Sequence, residues 1–180
     1  MHSRVTLATG KVAIFEMQPV KQSSREIVLQ PIGVVRSPIK TVADDCWGGI
    51  IATIELDPKM YKPDCTMGLN EYSHAEIVFL LDQISLEKVE KGARHPRGRT
   101  DWPKMGIFAQ RSKDRPNRIG VTVCKIESVA GLQIRVRELD AIDGTPILDI
   151  KPYMKGFAPR EEVREPVWAA ELMLGYFRKV

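Results

Sequence analysis

The sequence predicts a mainly β fold: a single-sheet antiparallel β-barrel, closed or nearly closed, with a C-terminal helix. Three observations carry this expectation. Apolar residues alternate with polar ones at the two-residue period of half-buried strands, as Ile119, Val121 and Val123 do against Gly120, Thr122 and Cys124. Turn signals rich in Gly, Pro and Asp punctuate the short strands. A convincing helical period occurs once, near the end, where Trp168, Leu172 and Tyr176 fall four apart on one face. Alternating strand–helix units are absent, which argues against a doubly wound fold. Closing the sheet is one way for many short strands to avoid open edges.

Each element follows from local pattern. Residues 1–28 show weak periodicity and mixed polarity, as expected of an N-terminal arm or an added edge strand. Residues 29–155 hold the barrel and 156–180 the helix. Residues 32–37 form a strand stopped by Pro38. Residues 41–49 form a turn-rich loop with Asp44, Asp45, Trp47 and the paired glycines Gly48 and Gly49. A second strand spans 50–56 and ends at Asp57-Pro58, and 63–72 is a loop with a helical turn. Residues 75–83 are apolar in their centre and read as a buried strand. A basic loop spans 87–103, a short strand 106–109 and a polar loop 110–118. The strands on either side of Ala130-Gly131 form a hairpin. Residues 146–153 add a last strand, and the helix spans 160–177, with Pro166 near its start or kinking it.

Length and composition place the chain among soluble single-domain proteins. At 180 residues, 43% hydrophobic and 28% charged, it can bury a core without disulfides or metals. The longest apolar run, residues 77–81, is far short of the roughly 20 residues a membrane-spanning helix needs. Residues 12–15 are too short for a signal-peptide core. Cys46, Cys65 and Cys124 are scattered without metal-ligand spacing, so reduced thiols in a cytoplasmic protein are expected. No metal site is expected. His74-Ala75-Glu76 matches half of a zinc-deaminase signature, but the P-C-x-x-C half is missing. Glycine fingerprints for dinucleotides or nucleotide phosphates are missing too.

Charge is concentrated. The formal net charge is +4, yet residues 88–118 carry +7 and the rest −3. Such a stretch is either a phosphate-binding surface or a solvated basic loop. Two segments stand out as candidate site loops. The first, Phe108-Ala109-Gln110-Arg111-Ser112-Lys113-Asp114-Arg115-Pro116-Asn117-Arg118, places four arginine or lysine positions beside a proline and an asparagine between two strands. The second, from Leu139 to Tyr153, holds Asp140, Asp143 and Asp149, a D-G turn and an I-K-P-Y close. The alternative readings are a charged hairpin tip and a turn in which Asp143 caps backbone amides.

Taken in order, "PIGVVRSP", "FAQRSKDRPNRIGVT" and "LDAIDGTPILDIKPY" resemble the TsaA-like family, whose typical activity is the S-adenosylmethionine-dependent methylation of N6 of threonylcarbamoyladenosine at tRNA position 37. The resemblance covers residues 28–153. It implies a β-barrel methyltransferase rather than a Rossmann one, S-adenosyl-L-methionine as cofactor, tRNA as partner and a homodimer with its pocket near the subunit interface. Carried over by position, it places cofactor contacts at Trp47, Gly48, Gly49, Asp82, Gln83, Arg111, Val121, Arg137, Glu138, Leu139 and Asp140. The chain departs from the family pattern in its acidic Asp44-Asp45 loop, in Asp82 where histidine is common, and in Arg118 where proline closes the arginine motif. Some members carry a further C-terminal domain; here a helix is expected.

These residue types suit the cofactor's chemistry. Asp82 and Asp140 suit its ammonium or ribose hydroxyls, and Arg111 its carboxylate. Gly48 and Gly49 permit close backbone approach. Trp47 suits stacking on adenine or flanking the sulfonium. Asp143, beside the cofactor segment, is the expected acceptor of the N6 proton. Contacts to tRNA are expected at Arg115, Asn117 and Lys151. Two other readings stay open: a methyltransferase of the same fold acting on a small molecule or another RNA, and a non-catalytic nucleic-acid-binding barrel.

Overall fold

A computed structural model describes residues 27–179 and the backbone of two short paired strands before them, β1 (Ser3–Thr6) and β2 (Val12–Phe15). The rest of the expected 1–28 arm lies outside the described residues. The chain continues through β3 (Gly33–Arg36), β4 (Ile51–Leu56), β5 (His74–Leu80), β6 (Ala93–Arg94), β7 (Met105–Gly106), β8 (Ile119–Ala130), β9 (Gln133–Arg137), β10 (Pro146–Pro152) and α1 (Val167–Tyr176). Six of these strands close an antiparallel barrel in the order β10-β3-β4-β9-β8-β5, while β6 and β7 pair separately.

Alternation drives the closure. Ala52, Ile54 and Leu56 of β4, Ala75, Ile77 and Phe79 of β5, and Ile134 and Val136 of β9 all point inward and are buried. Val35, Cys124, Leu139, Ala141 and Ile147 complete the core. Side chains therefore fill the interior, as a small barrel requires. The β8–β9 hairpin turns at Ala130, as expected, and its register shifts between Ile126 and Ser128.

Three expectations are corrected in detail. The buried strand ends at Leu80 and alternates instead of being buried on both faces, because one side of any barrel strand must face outward. Its apolar continuation, Leu81 and Ile84, leaves the sheet. The expected strand at 106–109 is a strand only to Gly106; Ile107–Ala109 is a 3-10 turn that buries Ile107. The helix begins at Val167 rather than 160. Pro166 stands at its N-cap in extended conformation, and a proline disfavours helical backbone in the residue before it.

The barrel and α1 are fitted to one another at the barrel mouth. The Cys46 and Trp47 N–H groups donate to the Gly175 and Tyr176 carbonyls at 3.3 and 2.9 Å, capping the helix C-terminus. Trp168 packs on Trp102 with ring centroids 6.2 Å apart, and Trp102 Nε1–H donates to Glu171 Oε2 at 2.7 Å. Within the stripe, Trp168 thus packs on the loop at Trp102, Tyr176 bonds to Asp140, and Leu172 faces the space between helix and barrel. Among the described residues no helix is long and apolar enough to cross a membrane.

Gly120 of β8 has a steric function in this core. A Cβ there would stand 2.3 Å from the Phe79 ring, and that ring is 1% exposed within the core. Gly120→Ala is expected to destabilise the protein by about 1–3 kcal/mol through overpacking, read from the midpoint of chemical denaturation.

Candidate active-site cleft

Above the core, at the mouth of the barrel, lies a cleft of about 1130 Å³. Its walls come from the loop at 42–47, the turn after β5, the 94–98 loop, the arginine motif, the start of β8, residues 140–142 and the inner face of α1. Pockets for single small ligands run to about 300–1,000 Å³, so this one has room for a cofactor and part of an acceptor.

The most constrained polar group in the cleft is Asp140. Thr122 on β8 donates its hydroxyl hydrogen to Oδ1, and Tyr176 on α1 donates its own to Oδ2. Burial, and then the Asp140 charge, push the Tyr176 hydroxyl's pKa up, while Arg111 and Arg97 pull it the other way. Tyr176 therefore remains a protonated donor at all physiological pH. The Cys124 thiol is likewise pushed up, first by burial and then by Asp140 and Glu138; it serves as a neutral core residue.

Ion pairs tie the rim together. Arg97 forks onto Asp45 at 2.5 and 2.8 Å and donates to the Asp44 carbonyl at 2.8 Å. Its φ of +53° is a strained conformation for arginine, held by those three bonds. Lys113 pairs with Asp44. Arg94 pairs with Asp114 at 2.7 Å and donates to Ser112. With Arg99 on Asp101, four of the ten basic residues of the +7 segment are therefore engaged inside the chain. Among the described residues, Lys88, Lys91, Lys104, Arg111, Arg115 and Arg118 have no carboxylate within ion-pair distance.

The residues singled out from the sequence separate into two groups. Trp47, Asp82, Gln83, Arg111, Val121 and Asp140 line the cleft, as do Arg115 and Asn117. Trp47 is only 3% exposed and lies under the surface rather than offering a ring face. Arg111 is exposed and donates to the Val121 carbonyl. Arg115 donates to the Gln110 carbonyl and, at 3.5 Å, to that of Ile107, so it also shapes its own loop.

The others lie outside the lining. Gly48 and Gly49 serve the helix: a Cβ on Gly48 would sit 1.8 Å from the Phe177 carbonyl oxygen. Glu138 accepts from the Gly49 N–H at 3.1 Å. Arg137 pairs with Glu127 at 2.7 Å. Leu139 is a core residue with no exposure. Lys151 pairs with Asp149 on β10. Asp143 accepts from the Ser37 N–H at 3.0 Å and pairs with Lys40 at 2.8 Å, so it anchors the end of β3 to the turn before β10.

Sequence reading missed Thr122, Tyr176, Arg97 and Phe108 as cleft residues. The alternation along β8 pointed away from Thr122. It suggested an apolar face of Ile119, Val121 and Val123, whereas Thr122 and Cys124 are the buried residues and Val123 is 45% exposed. The inward positions here must leave room for the Phe79 ring and reach Asp140. Arg97 carried no local signal, because its partner lies more than fifty positions away.

Residues 41–158 match the tRNA-methyltransferase O N-terminal domain. A probable S-adenosyl-L-methionine-binding protein from Methanothermobacter thermautotrophicus is 38% identical over 134 residues, 73% of this chain and 93% of that protein. This chain belongs to the tRNA-methyltransferase O family. The human tRNA (adenine(37)-N6)-methyltransferase is 39% identical over 101 residues, 56% of this chain but 22% of its own length. The crystal structure of TrmO from Pseudomonas aeruginosa aligns with a TM-score of 0.65 at 27% identity, covering 82% of this chain and 64% of that one. That structure supports the barrel with its C-terminal helix. This chain thus spans nearly all of the archaeal relative and only part of the tRNA methyltransferases.

Two outcomes test the geometry. Tyr176→Phe removes one of the two donors to Asp140 and is expected to cost about 1.5–3 kcal/mol, typical of a hydrogen bond to a charged group, measured by chemical denaturation. Lys40 and the Ser37 N–H hold the Asp143 pKa below its usual 3.8. That stabilisation is present above pH 3.8 and is lost as pH falls through the lower folded value. Asp143→Asn should therefore lower the melting temperature at pH 7 and flatten its decline on acidification.

Proposed function

We propose that this chain transfers a methyl group from S-adenosyl-L-methionine to N6 of the adenosine at tRNA position 37, the base bearing a threonylcarbamoyl group. The observation that carries the reading is Asp140, held by two hydroxyl donors at the side of a cation-rimmed cleft, in a chain of the tRNA-methyltransferase O family. The donor set fits the cofactor. Arg111 offers a charge-assisted bond to its carboxylate, while the lone pairs of Asp140 left free by its two hydroxyl donors offer acceptors to its ammonium or ribose hydroxyls.

When bound, the cofactor supplies a methyl group activated on a sulfonium. The protein's share is placement. The acceptor nitrogen is a weak nucleophile because its lone pair is delocalised, so the rate depends on holding it in line, roughly 3–3.5 Å from the methyl carbon. The nitrogen must also lose a proton. Among the described residues four carboxylates line the cleft: Asp44 and Asp114 are in ion pairs, and Asp140 already carries a hydroxyl donor on each oxygen. Asp82 is exposed and, among the described residues, accepts only from Gln83, at 3.1 Å through Oδ2. It takes the proton-acceptor role that sequence reading assigned to Asp143.

The protein acts in the cytoplasm, where its substrate is, and as a homodimer. Support for the dimer is the family resemblance together with Val167 and Leu174, 76% and 82% exposed on the outer side of α1. The engagement of rim cations in ion pairs favours a second reading, a methyltransferase with a small-molecule acceptor.

Titration calorimetry should show S-adenosyl-L-methionine binding, and Arg111→Ala should weaken it by about 1.5–3 kcal/mol. The protein and labelled cofactor should transfer methyl groups to tRNA from cells lacking this chain. Binding without transfer to tRNA would leave the small-molecule reading; no binding at millimolar cofactor would end both.

A further inference from the structure

Six aromatic side chains line the cleft among the described residues, and they differ sharply in availability. Trp47, Phe79 and Trp168 are 3%, 1% and 9% exposed, so no face of them is open to a ligand. Tyr176 is half-buried with its hydroxyl committed to Asp140. Phe177 is 38% exposed but sits edge-on to Tyr176, with centroids 5.0 Å apart. Phe108 is 77% exposed. A ring so placed loses the stabilisation that burying it would bring, and nothing in the barrel requires it there.

Its backbone is as fixed as its ring is open. Phe108 is the middle residue of the 3-10 turn Ile107–Ala109. On one side Ile107 is 2% exposed and its N–H donates to the Gly92 carbonyl at 2.9 Å. Two positions on, Gln110 is 5% exposed, with Nε2 donating to the Arg94 and Met105 carbonyls at 3.1 and 2.8 Å. Arg115 then ties the Ile107 and Gln110 carbonyls together and leaves its guanidinium 6.0 Å from the Phe108 centroid. An exposed aromatic on a rigid turn, with arginine beside it, is the arrangement that binds single-stranded nucleic acid: the ring takes a base and the cations take the backbone.

We propose that Phe108 is the platform on which the acceptor nucleobase stacks at the cleft, with Arg115 meeting the adjoining phosphate. This rests on the RNA-methyltransferase reading and names the residue that holds the base in line. Stacking tolerates any base, so the ring supplies position, and selection of the adenosine falls to groups deeper in the cleft. The target lies in a loop, where bases are already unpaired and can be splayed out to reach such a ring.

The test uses the full chain, threonylcarbamoylated tRNA from cells lacking this chain, and labelled S-adenosyl-L-methionine. Loss of one stacked base corresponds to roughly 5- to 140-fold. Phe108→Ala is expected to lower kcat/KM for tRNA by that range while leaving the calorimetric dissociation constant for S-adenosyl-L-methionine within twofold. Phe108→Tyr and Phe108→Trp should restore transfer; Phe108→Leu, apolar but without a π-face, should not. Because the side chain is exposed, the melting temperature of each variant should match the wild type. If wild-type protein methylates no tRNA, the parent reading fails. If it does and Phe108→Ala is unimpaired, or Phe108→Leu restores transfer, stacking is overturned. A matching loss of cofactor affinity would make the ring part of the cofactor wall. A fall in sedimenting mass would make it a contact between copies; either result overturns the proposal.

Discussion

The working end of this protein depends on a single carboxylate. Asp140 stands between the barrel, through the Thr122 hydroxyl, and the C-terminal helix, through the Tyr176 hydroxyl. A charge at the edge of an apolar core is tolerated only when its lone pairs are satisfied. Two hydroxyl donors from different elements do so, and in doing so fix where the helix lies. The same helix end is capped by the Cys46 and Trp47 N–H groups, which places the 42–47 loop against it. One local requirement of charge solvation thus sets three walls of the cleft at once.

Glycine makes the approach possible. The Phe177 carbonyl lies where a side chain on Gly48 would have to be, so the loop and the helix end pack backbone against backbone. The paired glycines suggested close approach to a ligand; the close approach is real, but the partner is the chain's own terminus. Position was legible there and purpose was not.

The basic segment has two functions that compete for the same charges. Arg94, Arg97 and Lys113 bind carboxylates of neighbouring loops and hold the rim in shape. Arg111 and Arg115 bond to backbone carbonyls, which fixes their geometry yet leaves their charge uncompensated. A carbonyl orients a guanidinium without neutralising it, whereas a carboxylate does both. The cations oriented but not neutralised are the ones suited to an anionic ligand.

The sequence by itself determined the six barrel strands and the β8–β9 hairpin, because a two-residue period and a turn are local properties of the chain; the order in which those strands pair and the short β6 inside the basic loop were not legible in it. It also marked the arginine motif and the stretch ending at Asp140, where chemistry-bearing residues cluster within a dozen positions. Tertiary structure decided what those residues face. Asp143 and Asp140 are three apart and chemically alike, yet one clamps Ser37 and Lys40 while the other lies in the cleft. The 97–45 ion pair, the helix cap on 46 and 47, and the exposure of Phe108 beside the burial of Ile107 and Gln110 all arise from segments brought together only when the barrel closes. A one-dimensional pattern records the period of a strand and, where one face is uniformly apolar as in β4, β5 and β9, which side is buried. On β8 even the side was set by closure, since Thr122 and Cys124 face inward and Val123 outward, and closure also decides which distant group waits there.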